Sequence, residues 1–571
     1  MRNSVILGMT LLALGALHSR AQAADEKASV VVEPVSCVED DAAVLARMAV
    51  TPHELAQTHR PLPELFASLH AATFSGTIDN GWHNDEVNEA NEGNGFDSFS
   101  GDFLFPANTT FAVGNGYVVT GTNAGIRYHT SYGQEIFSAS WSTFFGSVNT
   151  GWDFVAQPTI VFDRWSNRWF AVIPAIRSID TYTWFLVAVS DDANPQGTWK
   201  KWSVDSTVNG TQATGNWSDW ARLGVDKDAI VVTANMYSRT GDVFQYSKIR
   251  CFKKADLTSF SSTLHYSDFW NVLNPDNTKA FAVVPAEHLP GGSPNNQAFF
   301  TANNQTSGKI NLIGVVGAAT TNPSLVKQTI SVPAYARPNF AKQMESGVQL
   351  DCGDGRIQNL LWKYNVLSTA YSVGQSGVTA IRWHQVASQN FPAASLLASG
   401  SIFEPNVWQW YPSISVNKYG TLAVGFSRSS TSEHIGLGYS YRSPNDPADY
   451  MSPTAIVKSG TRDYYGEGGS PIRWGDYTGT TVDPRDDTTF WHYNAYPNDV
   501  WGDTWNTWAQ PFQVGATLVA DYNADGFLTG DDFDLFGVRF EEGDPRADLN
   551  HDTFVTGDDY DSFVDAFENG Y

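Results

Sequence analysis

Two twelve-residue stretches near the C-terminus carry the side chains best suited to holding a hard cation. The first is Asp521-Tyr522-Asn523-Ala524-Asp525-Gly526-Phe527-Leu528-Thr529-Gly530-Asp531-Asp532. The second is Asp548-Leu549-Asn550-His551-Asp552-Thr553-Phe554-Val555-Thr556-Gly557-Asp558-Asp559, offset by 27 residues. Asp521, Asn523, Asp525, Thr529 and Asp532 put side-chain oxygens at positions 1, 3, 5, 9 and 12, and Asp548, Asn550, Asp552, Thr556 and Asp559 repeat them. Ca²⁺ gathers roughly six to eight oxygens in one shell, and a loop of this length adds a backbone carbonyl from position 7. Phe527 and Phe554 stand there. The spacing predicts one Ca²⁺ per loop, two in all. A disordered acidic tail would not place the same residue types twice in register.

An amphipathic helix is expected after each loop. Phe533, Phe536 and Phe540 fall at i, i+3 and i+7, and Tyr560, Phe563 and Phe567 repeat that spacing. Loops with EF-hand ligand spacing, each followed by one helix at this offset, resemble a dockerin. The resemblance implies an all-α calcium-binding module that docks onto a cohesin-like protein on a scaffold or cell surface, often in polysaccharide-degrading systems. The residues that such modules use for partner choice correspond to Gly530-Asp531 and Gly557-Asp558, identical in the two repeats. Position 12 is Asp rather than Glu, as is usual in dockerins. Thr553 replaces the glycine expected at position 6, which strains the second loop by about 1–2 kcal/mol.

Charge separates this tail from the rest. The chain of 571 residues has 35 Lys+Arg against 60 Asp+Glu, a net charge of −25. Asp521 to Tyr571 holds twelve Asp and three Glu against Arg539 and Arg546, a net of −13. Such acidity excludes a general nucleic-acid binder, which needs basic residues to displace counterions from phosphates. At the other end, Arg2, the apolar run Val5–Leu17 and the Ala21-Gln22-Ala23 cleavage site read as a signal peptide over 1–23. No later stretch is long and apolar enough to span a bilayer. The expected location is therefore extracellular or cell-surface associated. Cys37, Cys251 and Cys352 form no C-x-x-C motif; a Cys251–Cys352 bridge and buried free thiols are both open.

Between these ends, hydrophobic residues at 42% and the 34 Phe, 23 Tyr and 20 Trp suit a β-rich core. Residues 24–104 are mixed and partly irregular. From 105 to 514 one pattern recurs: a short apolar stretch ends in Asp, Asn or Gly, and a β-branched or aromatic run follows. Examples are Ile160-Val161-Phe162-Asp163 before Trp169, Leu223-Gly224-Val225-Asp226 before Ile230, Ile414-Ser415-Val416-Asn417 before Leu422, and Thr481-Val482-Asp483 before Thr489. Asp and Asn bond their own backbone and tolerate left-handed conformations, which closes hairpins. Second strands are expected near Tyr117, Trp169, Ile230, Ala298, Leu360, Leu422 and Thr489. This near-regular spacing predicts radial repetition: a mainly-β fold, a six- or seven-bladed β-propeller over 105–514, with the calcium-binding module over 515–571. A two-sheet sandwich with a second β domain is the alternative.

The same stretch resembles secreted bacterial sialidase-like propellers of undefined activity. The resemblance is carried by Asn108–Gly114, Trp217–Asp226, Arg473–Tyr477 and the Asp-containing turn from Ser190-Asp191-Asp192 to Gly197-Thr198-Trp199. Asp219 with Arg222, Asp354 with Arg356, and Arg473 with Asp476 fall at expected starts of inner strands, which surround a propeller's channel. Arg222, Arg356 and Arg473, with Asp219 and Asp476, are thus candidate ligand-binding residues, because guanidinium forks match carboxylates. By resemblance to sialidases, Tyr477 or Tyr411 would be the nucleophile. The opposing reading is that each Asp–Arg pair merely satisfies itself. Gly374-Gln375-Ser376-Gly377 falls short of a nucleophile elbow because Val378 follows. Trp408, Trp410, Trp501, Trp505 and Trp508 fit sugar stacking or packing between blades, the latter the commoner use of tryptophan. Three functions compete: a docked, glycan-associated binding propeller; a glycoside hydrolase or lyase acting on acidic polysaccharide; and a structural surface-assembly protein.

Overall fold

The computed structural model describes residues 95–100, 106–291, 298–304, 307–444, 446–466, 470–497 and 504–514. It also describes strand pairing alone for 26–32 and 37–41, and within the tail residues 520, 522, 528–541, 543–544, 547–549 and 554–569. The signal peptide read at 1–23 lies outside the described residues.

The chain is mainly β. Its strands group into successive antiparallel up-and-down units, whose first strands we number β1 (Thr110–Gly114), β2 (Thr159–Asp163), β3 (Asn216–Val225), β4 (Val284–His288), β5 (Asn359–Lys363), β6 (Val407–Val416) and β7 (Gly479–Val482). Each first strand touches the next, and β7 returns to β1, so the units close into a ring of propeller type. Neighbouring first strands run parallel where they pair, Val225 opposite Glu287 and Ala286 opposite Leu360. All the strand entrances therefore open at one end of the central channel.

The hairpins form where the Asp and Asn turns place them: Arg168 pairs with Asp163, Val225 with Ile230, Val416 with Leu422 and Val482 with Phe490. Leu360 is an exception. It lies in β5, not in the second strand, which begins at Val366 after a turn through Tyr364 and Asn365, φ 51° and 60°. Two consecutive left-handed residues let a hairpin close in two residues, so the apolar run ahead of the turn is itself the inner strand. Ser376-Gly377, with φ 49° and 85°, makes the same turn between Gln375 and Val378, which disposes of it as a nucleophile elbow.

Three strands reach the ring from upstream of residue 105. Phe96–Asp97 pairs with Asn506–Phe512 in the unit of β7, so that unit is built from both ends of the ring sequence. Glu26–Val32 lines the outer edge of the unit of β3, and Cys37–Asp41 that of β2. Covering an outer edge removes unpaired backbone groups that would otherwise invite another chain.

The core lies between units. Trp141, Trp169, Trp199 and Tyr128 are fully buried between the first and second units, with the Tyr128 and Trp199 rings 6.2 Å apart. Burying one such side chain contributes roughly 1.5–3 kcal/mol. Trp408, Trp410 and Trp505 are buried in a further cluster, and half-buried Trp508 packs under the Lys458 ammonium at 3.7 Å. Trp501 lies outside the described residues. Cys251 and Cys352 are buried free thiols, so the bridge between them does not form.

In the tail, helices α1 (Gly530–Glu541) and α2 (Gly557–Asn569) follow the two acidic loops. Their aromatic stripes face each other. Phe536 and Phe563 stack with centroids 4.0 Å apart, while Phe533 meets Phe567 and Phe540 meets Tyr560.

Candidate functional site

At the entrance end of the channel the chain repeats one local device. Asn108, Gln157, Trp220, Ala282, Tyr411 and Asp476 are all left-handed, with φ between 50° and 66°, at or just before six of the seven first strands. At Trp220 and Tyr411 the residue is an extra one in the ladder, and pairing resumes at Arg222 and Ser413. A bulge of this kind bends the strand and re-aims the neighbouring side chains, at a conformational cost of about 1–3 kcal/mol for a bulky residue. Asn108 and Asp476 are types that tolerate this conformation, but no propensity marks Gln157, Trp220, Ala282 or Tyr411. At Trp220 and Tyr411 a polar residue stands two places on, as in Trp220-Ala221-Arg222 and Tyr411-Pro412-Ser413.

Several of the candidate residues meet here. A cavity of about 130 Å³ runs down the channel, with Arg222 and Tyr477 at its entrance. The Arg222 guanidinium lies 3.6 Å from the Tyr477 ring centroid and 5.0 Å from that of Trp220. Arg356 covers the same Trp220 ring at 5.1 Å. Tyr477 lies in the field of Arg222, Arg356, Asp219 and Arg473 together.

The three arginines differ in how they are answered. Arg356 grips Asp354 with Nε at 2.8 Å and Nη2 at 2.5 Å. Arg473 pairs with Asp476 through Nη2. Asp476 also accepts from the Tyr411 hydroxyl at 3.3 Å and, in the orientation its neighbours require, from the Asn108 amide at 3.2 Å. Arg222 forms no ion pair among the described residues. It is only 7% exposed, and its Nε and Nη2 have no hydrogen-bond partner. Asp219 instead accepts from the Gln157 amide at 3.0 Å, and burial raises its pKa. Burial lowers the pKa values of Arg222 and Arg473, so both cations are held where charge is poorly solvated. Burial also raises the Tyr477 and Tyr411 phenols above their ordinary range, the opposite of what a nucleophilic tyrosine needs.

The far end of the channel is closed by satisfied charge. Arg164 and Lys363 share Asp487 at 2.6 and 2.7 Å, and Lys254 meets Asp163 at 2.8 Å. Glu287 lines the channel between them, pushed up to about 7 by burial.

In the tail, Asp532 and Asp559 are fully buried at equivalent positions. Asp532 Oδ2 accepts the Thr529 N–H at 2.9 Å, and Asp559 Oδ2 accepts the Thr556 N–H at 2.8 Å. Each carboxylate thus caps its helix at the third residue, a position favoured by the positive helix terminus. Phe554 is exposed beside its loop, and Asp548 is partly buried. Asp521, Asn523, Asp525, Phe527, Asn550 and Asp552 lie outside the described residues, so six of the twelve expected ligands are placed.

No protein-family model matches the chain, and no curated protein matches it. Among solved structures, the phage phi92 endosialidase is 9% identical over 74% of this chain and 69% of its own, with a TM-score of 0.35. A protein of unknown function from Dyadobacter fermentans is 8% identical over 64% of this chain and 96% of its own, with a TM-score of 0.31. The Penicillium chrysogenum α-L-arabinanase bound to arabinobiose is 11% identical over 62% of this chain and 92% of its own, at 0.26. At these values the likeness transfers no residue role and no activity to this chain.

Proposed function

We propose that the chain is a secreted binding protein whose seven-bladed ring takes the carboxylate of an acidic glycan at the arginine-lined entrance. Its C-terminal helix pair holds two Ca²⁺ ions and docks the ring to a cohesin-like partner or surface scaffold. The observation that carries the binding reading is Arg222: a buried guanidinium against Tyr477, in the field of Asp219 but with no ion pair, whose Nε and Nη2 have no hydrogen-bond partner among the described residues. Burying a charge without a counter-ion costs several kcal/mol. A carboxylate entering beside Tyr477 supplies that counter-ion, and Arg356 and Arg473 add to the local field. Arg356 and Arg473 are already paired, so they orient the entrance rather than compete for the ligand.

The hydrolase reading is the weaker of the two. It needs a tyrosine or carboxylate activated for attack, and burial holds the Tyr477 and Tyr411 phenols protonated. Calorimetric titration of the full chain with glucuronate and with glucose tests the binding reading. Glucuronate binds, glucose does not, and affinity falls as salt rises because the contact is partly ionic. Equal binding of both sugars, or of neither, refutes it. Release of reducing ends from an acidic polysaccharide would instead restore the hydrolase.

For the tail, the support is the twice-repeated donor set and the buried carboxylate at position 12 of each loop. Oxygen donors of this hardness suit Ca²⁺ over softer metals.

A further inference from the structure

Glu287 lines the same cavity as Arg222. Strands β3 and β4 run parallel, with Val225 level with Glu287. Val225 lies three residues beyond Arg222, so Glu287 stands about 10 Å farther down the channel. It is partly buried, and its carboxylate forms no hydrogen bond or ion pair among the described residues. The two charges in its field are spent on other partners. Arg164 donates to Asp487 and to the Val482 carbonyl, both at 2.6 Å, and Asp163 pairs with Lys254 at 2.8 Å. Other polar wall groups stitch neighbouring units together. The Asn359 amide donates to the Ile414 carbonyl at 3.0 Å, and Ser413 Oγ lies 2.7 Å from Thr480 Oγ1. Among the described residues of the wall below Arg222, Glu287 is thus the charge not committed to a partner.

Size and closure restrict what can reach it. The cavity holds about 130 Å³. A water needs roughly 10–15 Å³ of such space, so the cavity suits a ligand of about a dozen non-hydrogen atoms, the size of one hexuronate. The ion pairs of Arg164, Lys363 and Lys254 close the far end, so a chain does not thread through.

We infer that the channel takes one acidic sugar end first, with its carboxylate at Arg222 and a ring hydroxyl at Glu287, and that Glu287 thereby selects a sugar acid over a plain carboxylic acid. The inference rests on the proposed anion site at Arg222. It narrows the ligand from acidic glycans at large to a free sugar acid or the terminal residue of a chain. A hydroxyl bonded to a carboxylate makes a stronger hydrogen bond than one between neutral groups. Burial pushes the Glu287 carboxyl up to about 7, and in either protonation state it keeps an oxygen that accepts from a hydroxyl. An analogue without hydroxyls would leave that group facing C–H surface, and such a mismatch is how a polar site rejects it.

Titration of the full chain with glucuronate, cyclohexanecarboxylate and a linear glucuronate tetramer tests this. Cyclohexanecarboxylate keeps the six-membered ring and the carboxylate and lacks the hydroxyls. Glucuronate should bind at least about tenfold more tightly than cyclohexanecarboxylate. Glu287→Ala should bring glucuronate down to the affinity of cyclohexanecarboxylate. Glu287→Leu, closer in volume, should do the same, and it serves should Glu287→Ala melt early. The tetramer should bind no more tightly than the monomer, since one residue enters. Cyclohexanecarboxylate binding as tightly as glucuronate overturns the inference and leaves the entrance anion site standing. So does a glucuronate preference that survives both variants. A tetramer that binds at least about tenfold more tightly than the monomer overturns the single-sugar pocket. No binding of either carboxylate overturns the anion site and the inference together.

Discussion

Inside the ring, buried charge is answered by the chain itself. Arg250 and Asp268 are both fully buried and joined at 2.7 Å, and Lys254 and Asp163 are nearly so at 2.8 Å. The tail instead buries Asp532 and Asp559 in a segment with fifteen acidic residues and two arginines. Under the proposed function, Ca²⁺ is the counter-ion to that charge. The contrast teaches that the ring holds its buried charge with internal ion pairs, whereas the helix pair is the region where the proposed Ca²⁺ would have to act. Within the ring, Arg222 is a buried cation with no ion pair among the described residues, and the proposed binding site rests on it.

The largest expected effect is on the tail. A chelator added to the full chain should abolish the helical signal of Gly530–Glu541 and Gly557–Asn569 and leave the β signal of the ring unchanged. Circular dichroism and backbone NMR read both regions in one sample. Helices that persist in chelator would break the contrast.

Acid should act on the ring. Burial holds His129, His288 and His384 at about 3 and His492 at about 4, against 6.5 when unfolded. These groups stay neutral in the fold, so stability is full above pH 6.5. Below it the unfolded chain takes up protons first, and stability falls by about 1.4 kcal/mol per pH unit for each histidine. Glu287 runs the other way. Its raised pKa costs stability above about pH 7, and the cost fades toward 4.5. Asp226, raised to about 6 by burial, acts in the same sense as Glu287, but four histidines outweigh these two carboxylates, so the melting temperature should drop between pH 6.5 and 4.5. A flat profile would show that these histidines become solvated without unfolding.

Much of this was legible in the residues. Asp and Asn at the ends of apolar runs place the hairpins because their side chains close turns locally. The Asp–Arg doublets at strand starts place the entrance residues because every first strand opens at the same end. The twice-repeated acidic loops, each followed by aromatics at helical spacing, predict a helix after each loop, and the packing of one helix on the other was not read from them. What escaped depends on distant partners. Phe96–Asp97 finds Asn506–Phe512 across the whole ring, and nothing in two residues announces that. The left-handed Trp220 and Tyr411 are imposed by the ladder around them, against the preference of bulky side chains. Leu360 misled because an apolar run reads the same before a turn as after it.

Smaller effects sharpen the picture of the entrance. Arg473→Ala leaves Asp476, 5% exposed, short of its cation and should cost about 3 kcal/mol in thermal melting. Arg356→Ala leaves Asp354, whose side chain is 40% exposed, and should cost only about 1 kcal/mol. Equal costs would show that exposure does not govern the two pairs. Smallest is Thr553→Gly, which should tighten the second calcium loop by up to about tenfold by relieving the turn at position 6. Calorimetry that finds no change would mean the turn is already relaxed.

Arg222→Ala tests the central claim most directly, read by melting and by glucuronate titration on the same sample. A strut with a paired charge would unfold on losing it. An unpaired guanidinium kept for a ligand would not, because the desolvation relieved offsets the lost stacking on Tyr477. The expected result is stability within about 1 kcal/mol of the parent and at least a tenfold loss of glucuronate affinity. A large fall in melting temperature with glucuronate affinity unchanged would contradict it and return the arginine to the architecture of the ring.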